Sequence, residues 1–290
     1  MSRRVLILAN PIAGGGRARA LAPALAAALQ QRGCTAELCF TQRAGDAGDR
    51  ARRAGAEAWD ALVAVGGDGT LNEVLNGMPD PTRPLGVLPV GTANVLACEY
   101  RMPRRPEAVA ELVARCQPRA HPIGLAGTRR FLLFCGAGID GAIVARMQAA
   151  RTGTLGKRKW LAPILHVVRH WPRFALRATF ADGEVIDDLA SVLVTRVRNY
   201  GGLLQLVRGI DHAAPVLTAL CFRHRRRRSW VWLGAQGFCG GLRESPRLLV
   251  RRTTALRIDG AAPCQVDGDL GAPAPLDVAL GPVVAQLLVP

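Results

Sequence analysis

The sequence predicts an α/β + β chain, a doubly wound parallel-sheet domain followed by a mainly antiparallel β domain. Three observations predict it. Apolar runs alternate with Ala- and Leu-rich helical segments through the first 125 residues. That order builds a parallel sheet covered on both faces by helices. After about Gly127 short strand candidates follow one another with turn signals between them, the mark of antiparallel β structure. The length of 290 residues is about two domains at roughly 150 residues each.

The elements of the first half come in order. Val5–Ala9 is a continuous apolar run, as in a strand buried on both faces. Asn10–Gly16, "NPIAGGG", is a turn. Arg17–Arg32 is rich in Ala and Leu and stops at Gly33, a helix with a glycine cap. Thr35–Thr41 is a second strand, Asp46–Ala58 a helix and Ala61–Val65 a third strand. The loop Gly66–Thr70, "GGDGT", leads into a short helix from Leu71 to Asn76. Leu85–Leu88 is a fourth strand, and Gly91–Asn94, "GTAN", turns into a helix reaching about Tyr100. Pro106–Cys116 closes this half as a helix.

In the second half the strand candidates are Phe131–Cys135, Ala175–Phe180, Leu189–Val197, Pro215–Phe222, Leu248–Val250 and Ala255–Ile258. Turns at Asp182-Gly183 and Asn199 to Gly202 separate them. A basic helical stretch from about Lys157 to Trp171 interrupts the series. The predicted domains are residues 1–125 and 126–290.

Composition bounds the function. Apolar residues make up 49% of the chain and charged residues 21%, which excludes a disordered or fibrous protein. Aromatics are only 5%, so aliphatic residues and Ala must fill the core. Lys and Arg number 38 against 22 Asp and Glu, a net charge of +16 carried almost wholly by Arg. Such a balance favours an anionic partner: a nucleotide, a nucleic acid or an acidic membrane surface. The eight cysteines form no C-x-x-C pair, which argues against zinc and a disulfide framework. No uncharged run reaches the roughly 18 residues of a membrane span, and the N-terminal apolar run is too short for a signal peptide. The expectation is a cytoplasmic chain, peripheral to the inner face of the membrane.

Three turns share one design: Asn10–Gly16, Gly66–Thr70 and Gly91–Asn94 each follow a strand and precede a helix. In a doubly wound sheet such turns lie at the carboxyl edge, where ligands bind. Glycine lets the backbone approach a phosphate, and helix N-termini present free N–H groups. Thr70, Thr92 and Asn94 add side-chain donors. The ligand implied is a nucleotide or another polyphosphate. The first loop matches neither the Walker A pattern nor the dinucleotide G-x-G-x-x-G. Asp68 stands in the middle of the second loop. A carboxylate there repels phosphate unless it binds a metal, takes a proton or faces away. The placement points to phosphoryl transfer, which needs positioning, charge neutralisation and a carboxylate for the acceptor's proton.

"VGGDGTLNEVLNG" (Val65–Gly77) resembles the catalytic domain of the diacylglycerol kinase and sphingosine kinase superfamily, and the soluble bacterial lipid kinases in particular. "NPIAGGGRA" (Asn10–Ala18), "LGVLPVGTANVLA" (Leu85–Ala97) and "PCQVDGDL" (Pro263–Leu270) match further motifs in the same order. The resemblance implies an ATP-binding first domain and a β-sandwich-like, lipid-accepting second domain, with the last segment often returning to the first. It implies ATP and Mg²⁺ as cofactors and a γ-phosphate transfer to a lipid hydroxyl, diacylglycerol- or sphingoid-like. ATP contacts would fall on Asn10, Gly14, Gly15, Gly16, Thr41, Gly66, Gly67, Asp68, Gly69, Thr70, Asn72, Glu73, Thr92 and Asn94. Asp68 would also meet the nucleotide's magnesium. The base candidates are Asp68, Asp267 and Asp269, with the Asp267/Asp269 pair favoured as base and orienter and Asp68 held essential near the phosphates. The family usually reads Asp-Gly-Glu where this chain has Asp267-Gly268-Asp269, so Asp269 has one methylene less reach. Asp140, in "GAGIDG", is implied as a lipid head-group contact.

One segment departs from the family. Soluble bacterial members usually carry Asp-Asp-Gly before the strand at Leu217–Phe222, where it helps hold a structural magnesium. Here Ala214, Pro215 and Val216 stand in its place, with Asp211 upstream. Arg223–Arg228 beside Trp230 and Trp232, and Lys157–Trp171 with Trp160 and Trp171, suit an anionic membrane surface. The partners implied are a lipid at a membrane surface and, as is common in the family, a second copy of the chain, but no nucleic acid. Two other readings share the loops: an NAD kinase, and a catalytically silent lipid- or nucleotide-binding relative.

Overall fold

A computed structural model describes residues 2–149, 166–167, 169–170, 172–223 and 226–290. The predicted helix at Lys157–Trp171, with both of its tryptophans, lies outside the described residues apart from 166–167 and 169–170. The chain divides into two compact units, Met1–His121 with Val283–Pro290, and Pro122–Pro282.

The first unit contains β1 (Arg4–Ala9), α1 (Ala18–Gln30), β2 (Thr35–Phe40), α2 (Asp46–Arg53), β3 (Ala61–Gly66), α3 (Asp68–Gly77), β4 (Leu85–Pro89), α4 (Val95–Glu99) and α5 (Pro106–Arg115). Its strands pair in parallel in the order β2-β1-β3-β4. Leu287, near the chain's end, pairs in parallel with Leu85. Val5, Ile7, Ala9, Val63 and Val65 pack under α1 and α5. Their neighbours Leu6, Leu8, Leu62 and Ala64 are buried as fully on the other face. Burial on both faces is why these strands read as unbroken apolar runs rather than alternating ones. The chain leaves β1 toward β2 on one side and toward β3 on the other. The carboxyl ends of β1 and β3 therefore flank the topological switch point, where open α/β sheets bind ligands.

The second unit is two antiparallel sheets over a shared core. β7 (Phe134–Gly138), β10 (Ser191–Thr195), β13 (Leu217–Phe222), β14 (Leu248–Thr253), β16 (Cys264–Val266) and β17 (Asp269–Leu270) form one sheet in the order β14-β13-β10-β7-β16-β17. In the other, β15 (Ala255–Asp259) pairs with residues 276–279 of β18 (Leu276–Leu287) and with β8 (Leu176–Phe180), which pairs with β9 (Val185–Leu189). Ala137, Val192, Val194 and Ala219 from the first sheet join Ala178, Leu256, Ile258 and Val278 from the second in one cluster. This is the sandwich arrangement. The remaining elements are β5 (Arg119–Ala126), β6 (Arg129–Phe131), α6 (Ile139–Ala149), β11 (Asn199–Tyr200), β12 (Leu204–Gln205) and α7 (Arg227–Phe238).

Three elements differ from the sequence reading. The helix after "GGDGT" begins at Asp68, not Leu71, because extended Gly67 already caps it. The single strand expected over Phe131–Cys135 is two, broken at Leu132 and Leu133, whose N–H groups turn to the Asp267 carboxylate instead of a neighbouring strand. "RRSWVWLGAQGF", read only as a basic and aromatic patch, is helix α7.

Candidate functional site

The three glycine loops gather at the switch point of the first unit. The Asn10 N–H donates to Val65 O at 3.0 Å, and the Thr41 N–H donates to Ala9 O at 2.9 Å. These bonds set the ends of β1, β2 and β3 side by side. Gly14, Gly15 and Gly16 all adopt left-handed φ, +62°, +71° and +89°, a run that only glycine accepts readily. A Cβ on Gly14 would lie 2.3 Å from Val90 O, whereas one on Gly15 or Gly16 would meet nothing within 4 Å. The first glycine thus packs the loop against the turn after β4, and the next two leave bare backbone open to a ligand. Arg17 fastens the same two loops, donating from Nε to Gly14 O at 3.0 Å and from a terminal nitrogen to Val90 O at 3.3 Å.

The second and third loops touch backbone to backbone. The Val90 and Gly91 N–H groups both donate to Gly66 O, at 2.8 and 3.1 Å. A Cβ on Gly91 would lie 2.5 Å from the Gly67 Cα. Asp68 resolves the question its position raised, because its carboxylate faces α4. It accepts the Val95 N–H at 3.0 Å and the Leu96 N–H at 3.3 Å. Burial pushes its carboxyl up from the ordinary value, while the N–H groups around it, Val95 and Leu96 foremost, pull the other way. The carboxylate therefore ties α3 to α4 and fixes the turn between them.

Asn94 sits in that turn with φ +48°, and its side-chain N–H donates to Gly91 O at 2.7 Å. Its carbonyl Oδ1 is buried with no hydrogen-bond partner. An orphaned buried acceptor costs about 1–3 kcal/mol, so the turn is built to receive a donor it lacks. Thr92 is exposed, Thr70 and Asn72 are buried, and Glu73 is half-buried. Asn72 Oδ1 accepts from the Asn76 side chain at 3.2 Å.

In the second unit Asp267 and Gly268 form the two-residue hairpin between β16 and β17, with φ +50° and +85°. The turn that Asp-Gly ordinarily makes is here, and it also works through its side chain. The buried Asp267 carboxylate accepts the Leu132, Leu133 and Phe134 N–H groups at 2.9, 3.0 and 3.0 Å. Asp269 is half-buried and pairs with Arg129 at 3.0 Å. Asp140 is buried between two donors, the Tyr200 hydroxyl and the Gln265 amide at 2.7 Å. The Gln265 carbonyl accepts the Gly268 N–H at 2.8 Å. A continuous chain Tyr200–Asp140–Gln265–Gly268 thus braces the Asp267 turn. Burial pushes the Asp140 carboxyl up, and burial pushes the Tyr200 hydroxyl well above its ordinary value.

The resemblance implies carboxylates for a structural magnesium at 214–216, and the residues there do not fit one. The buried Arg196 guanidinium supplies the positive charge, donating to the carbonyls of Pro122, His212 and Val216. Asp211 is spent on its own turn, accepting the Ala213 N–H at 2.9 Å. Nor is Asp68 a resident metal ligand, since both its oxygens already accept N–H groups. Among the described residues no three His, Cys, Asp or Glu side chains gather as a metal site. Magnesium belongs here only as part of a nucleotide substrate.

The structure therefore brings Asn10, Gly14–Gly16, Thr41, Gly66–Gly69 and Asn94 together in the first unit, and Asp140, Asp267 and Asp269 in the second. Sequence reasoning missed Arg17, Arg129, Arg196 and Gln265. Gln265 stands within "PCQVDGDL" and Arg17 directly after the glycines. Among the described residues no helix is long and apolar enough to cross a membrane.

Comparisons with known proteins follow this geometry. Residues 4–126 match the diacylglycerol kinase catalytic domain family. The chain is similar to a diacylglycerol kinase of Mycobacterium tuberculosis (strain CDC 1551 / Oshkosh), 26% identical over 297 residues that span 99% of this chain and 95% of that one. With a diacylglycerol kinase of Staphylococcus aureus (strain bovine RF122 / ET3-1) it shares 34% identity over 140 residues, 48% of this chain and 44% of the relative. The crystal structure of a diacylglycerol kinase from Bacillus anthracis str. Sterne is similar with a TM-score of 0.76, over 100% of this chain and 97% of that one, at 18% identity. At that identity the likeness speaks for the fold alone.

Proposed function

We propose, on the premise that residues 4–126 belong to the diacylglycerol kinase catalytic domain family and that the chain is a lipid kinase, that it transfers the γ-phosphate of ATP to a lipid hydroxyl. The acceptor class is diacylglycerol-like or sphingoid-like. The observation that carries the reading is the set of three glycine loops at the switch point, fixed to one another by Asp68, Arg17 and close glycine contacts. Phosphoryl transfer asks mostly for positioning and for charge neutralisation. Gly15 and Gly16 offer bare backbone to phosphate oxygens, and Asn94 Oδ1 offers an acceptor to a donor such as a nucleotide amine or hydroxyl. Magnesium arrives with the ATP phosphates and neutralises their charge.

The acceptor hydroxyl must lose a proton as the new P–O bond forms. Asp269 is the proposed acceptor of that proton. It is half-buried, and one of its oxygens is held by Arg129. Asp267 is the proposed orienter, because its carboxylate is occupied by three backbone N–H groups and sets the turn that carries Asp269. Asp68 shapes the phosphate loops from within. Asp140 acts through Gln265 on the same turn rather than by direct contact with a lipid head group.

One observation favours a second reading, a silent nucleotide-binding relative: Asp68, Asp267 and Asp269 each have a carboxylate already engaged by the protein. Asp269→Asn separates the two. Under the kinase reading it loses turnover while ATP affinity stays near wild type. Under the silent reading neither protein turns over ATP onto any lipid of a bacterial extract.

A further inference from the structure

Helix α7 turns its apolar side to water. With about 3.6 residues per turn, Arg228, Val231, Trp232, Ala235 and Phe238 share one arc of roughly 120°. Every one of them is exposed, with Val231 at 65%, Trp232 at 62% and Phe238 at 68%. The opposite arc is what the protein itself uses. Leu233 is buried, the Trp230 ring lies 4.9 Å from the Phe222 ring, and Gly237 packs near Leu204. Beside the helix, Leu203 at the tip of the β11–β12 hairpin is 61% exposed. A helix packed on a core normally presents polar residues outward. Here both sides are apolar, and the outer one lies bare.

Charge indicates what covers it. From Arg223 to Arg243 there is no Asp or Glu. Arg223, Arg226, Arg228 and Arg243 are all exposed. A second copy of the chain would bring the same arginines and the same net charge of +16 against this face, so self-pairing is electrostatically opposed. An anionic bilayer satisfies both features, taking Trp and Phe at its interface and arginines at its head groups.

We propose that α7 is an interfacial helix that seats the chain on an anionic lipid surface through Val231, Trp232 and Phe238, with Arg226 and Arg228 at the head groups. The proposal deepens the functional reading and rests on it, since an acceptor held in a bilayer must be met at the bilayer. Exposed side chains carry it, so Trp232→Ala/Phe238→Ala and Arg226→Glu/Arg228→Glu fold with the wild-type far-UV circular dichroism.

The test is co-sedimentation of the full chain with vesicles of equal parts phosphatidylglycerol and phosphatidylcholine, and with vesicles of phosphatidylcholine alone. Wild type binds the anionic vesicles and releases as salt rises to about 0.5 M. Each double variant partitions about tenfold less. Wild-type partition by Trp232→Ala/Phe238→Ala overturns the proposal. So does a wild-type dimer, seen by light scattering, that the same variant turns into a monomer. The kinase reading is tested apart, with lipid extract dispersed in detergent micelles. There Trp232→Ala/Phe238→Ala labels lipid as wild type does. Vesicle binding lost in the variant, with no lipid labelled by the wild type, supports the docking surface and removes the lipid kinase. Vesicle binding kept in the variant overturns the surface even where lipid is labelled.

Discussion

Asp68 and Val95 join two glycine loops: the Val95 N–H donates to the Asp68 carboxylate at 3.0 Å, with the Leu96 N–H beside it at 3.3 Å. Asp68→Ala leaves both N–H groups without their acceptor, which costs about 1–3 kcal/mol for an orphaned group. It also frees the turn that carries Asn94. Thermal denaturation should register the lost stability, and phosphoryl transfer should fall at least about a hundredfold, as for a lost positioning group. Full activity in this variant would mean that the turn is not part of the nucleotide site.

Gly14 and Gly16 predict opposite failures. Both have left-handed φ, but only at Gly14 would a methyl strike the Val90 carbonyl. Gly14→Ala should therefore lower the unfolding midpoint clearly. Gly16→Ala carries the strain of its φ alone, about 1 kcal/mol, and keeps its fold. Its added methyl stands where phosphate oxygens would approach, so ATP affinity by calorimetry should drop about tenfold or more, as when a close backbone contact is lost. Equal ATP affinity in Gly16→Ala and wild type would take the first loop out of the site.

Asp140 predicts a pH dependence of stability. Burial raises its carboxyl pKa in the folded state above the unfolded value, so the folded protein holds that proton more tightly. The stabilisation this group contributes is complete below the ordinary carboxylate range and is lost as pH rises through the folded value. Asp140→Asn removes the titration. The stability of wild type relative to Asp140→Asn should therefore shrink from about pH 4 to pH 7, by urea unfolding at each pH. A constant difference would contradict the buried, raised carboxyl.

Arg196 predicts indifference to metal. Its guanidinium holds the Pro122, His212 and Val216 carbonyls, so EDTA should leave the melting temperature of the nucleotide-free protein unchanged. Arg196→Leu strands three carbonyls and should cost about 3 kcal/mol or more. A melting temperature that falls with EDTA and recovers with magnesium would place a metal where the guanidinium is assigned.

The first unit was legible because its signals are local. Val5–Ala9 and Ala61–Val65 carry their double burial in their composition, and the glycine loops announce themselves within a few residues. The orientation of Asp68 was one of three that a carboxylate in a phosphate loop permits, and only the N–H groups of α4 select it. What the sequence hid is long-range. Nothing near Leu132 says that its N–H turns to an aspartate 135 residues away and breaks a strand. Nothing near Asp140 names Tyr200 and Gln265 as its partners. Helix α7 escaped because residues such as Trp230, Val231, Trp232 and Leu233 lie on both of its sides, which erases the amphipathic period on which helix recognition depends.

The most direct measurement is phosphate transfer from γ-labelled ATP and magnesium to a total bacterial lipid extract and, separately, to NAD. The account predicts label in an organic-phase product, lost in Asp68→Ala. Label only in an aqueous NADP product, or none in either while ATP still binds, would contradict it.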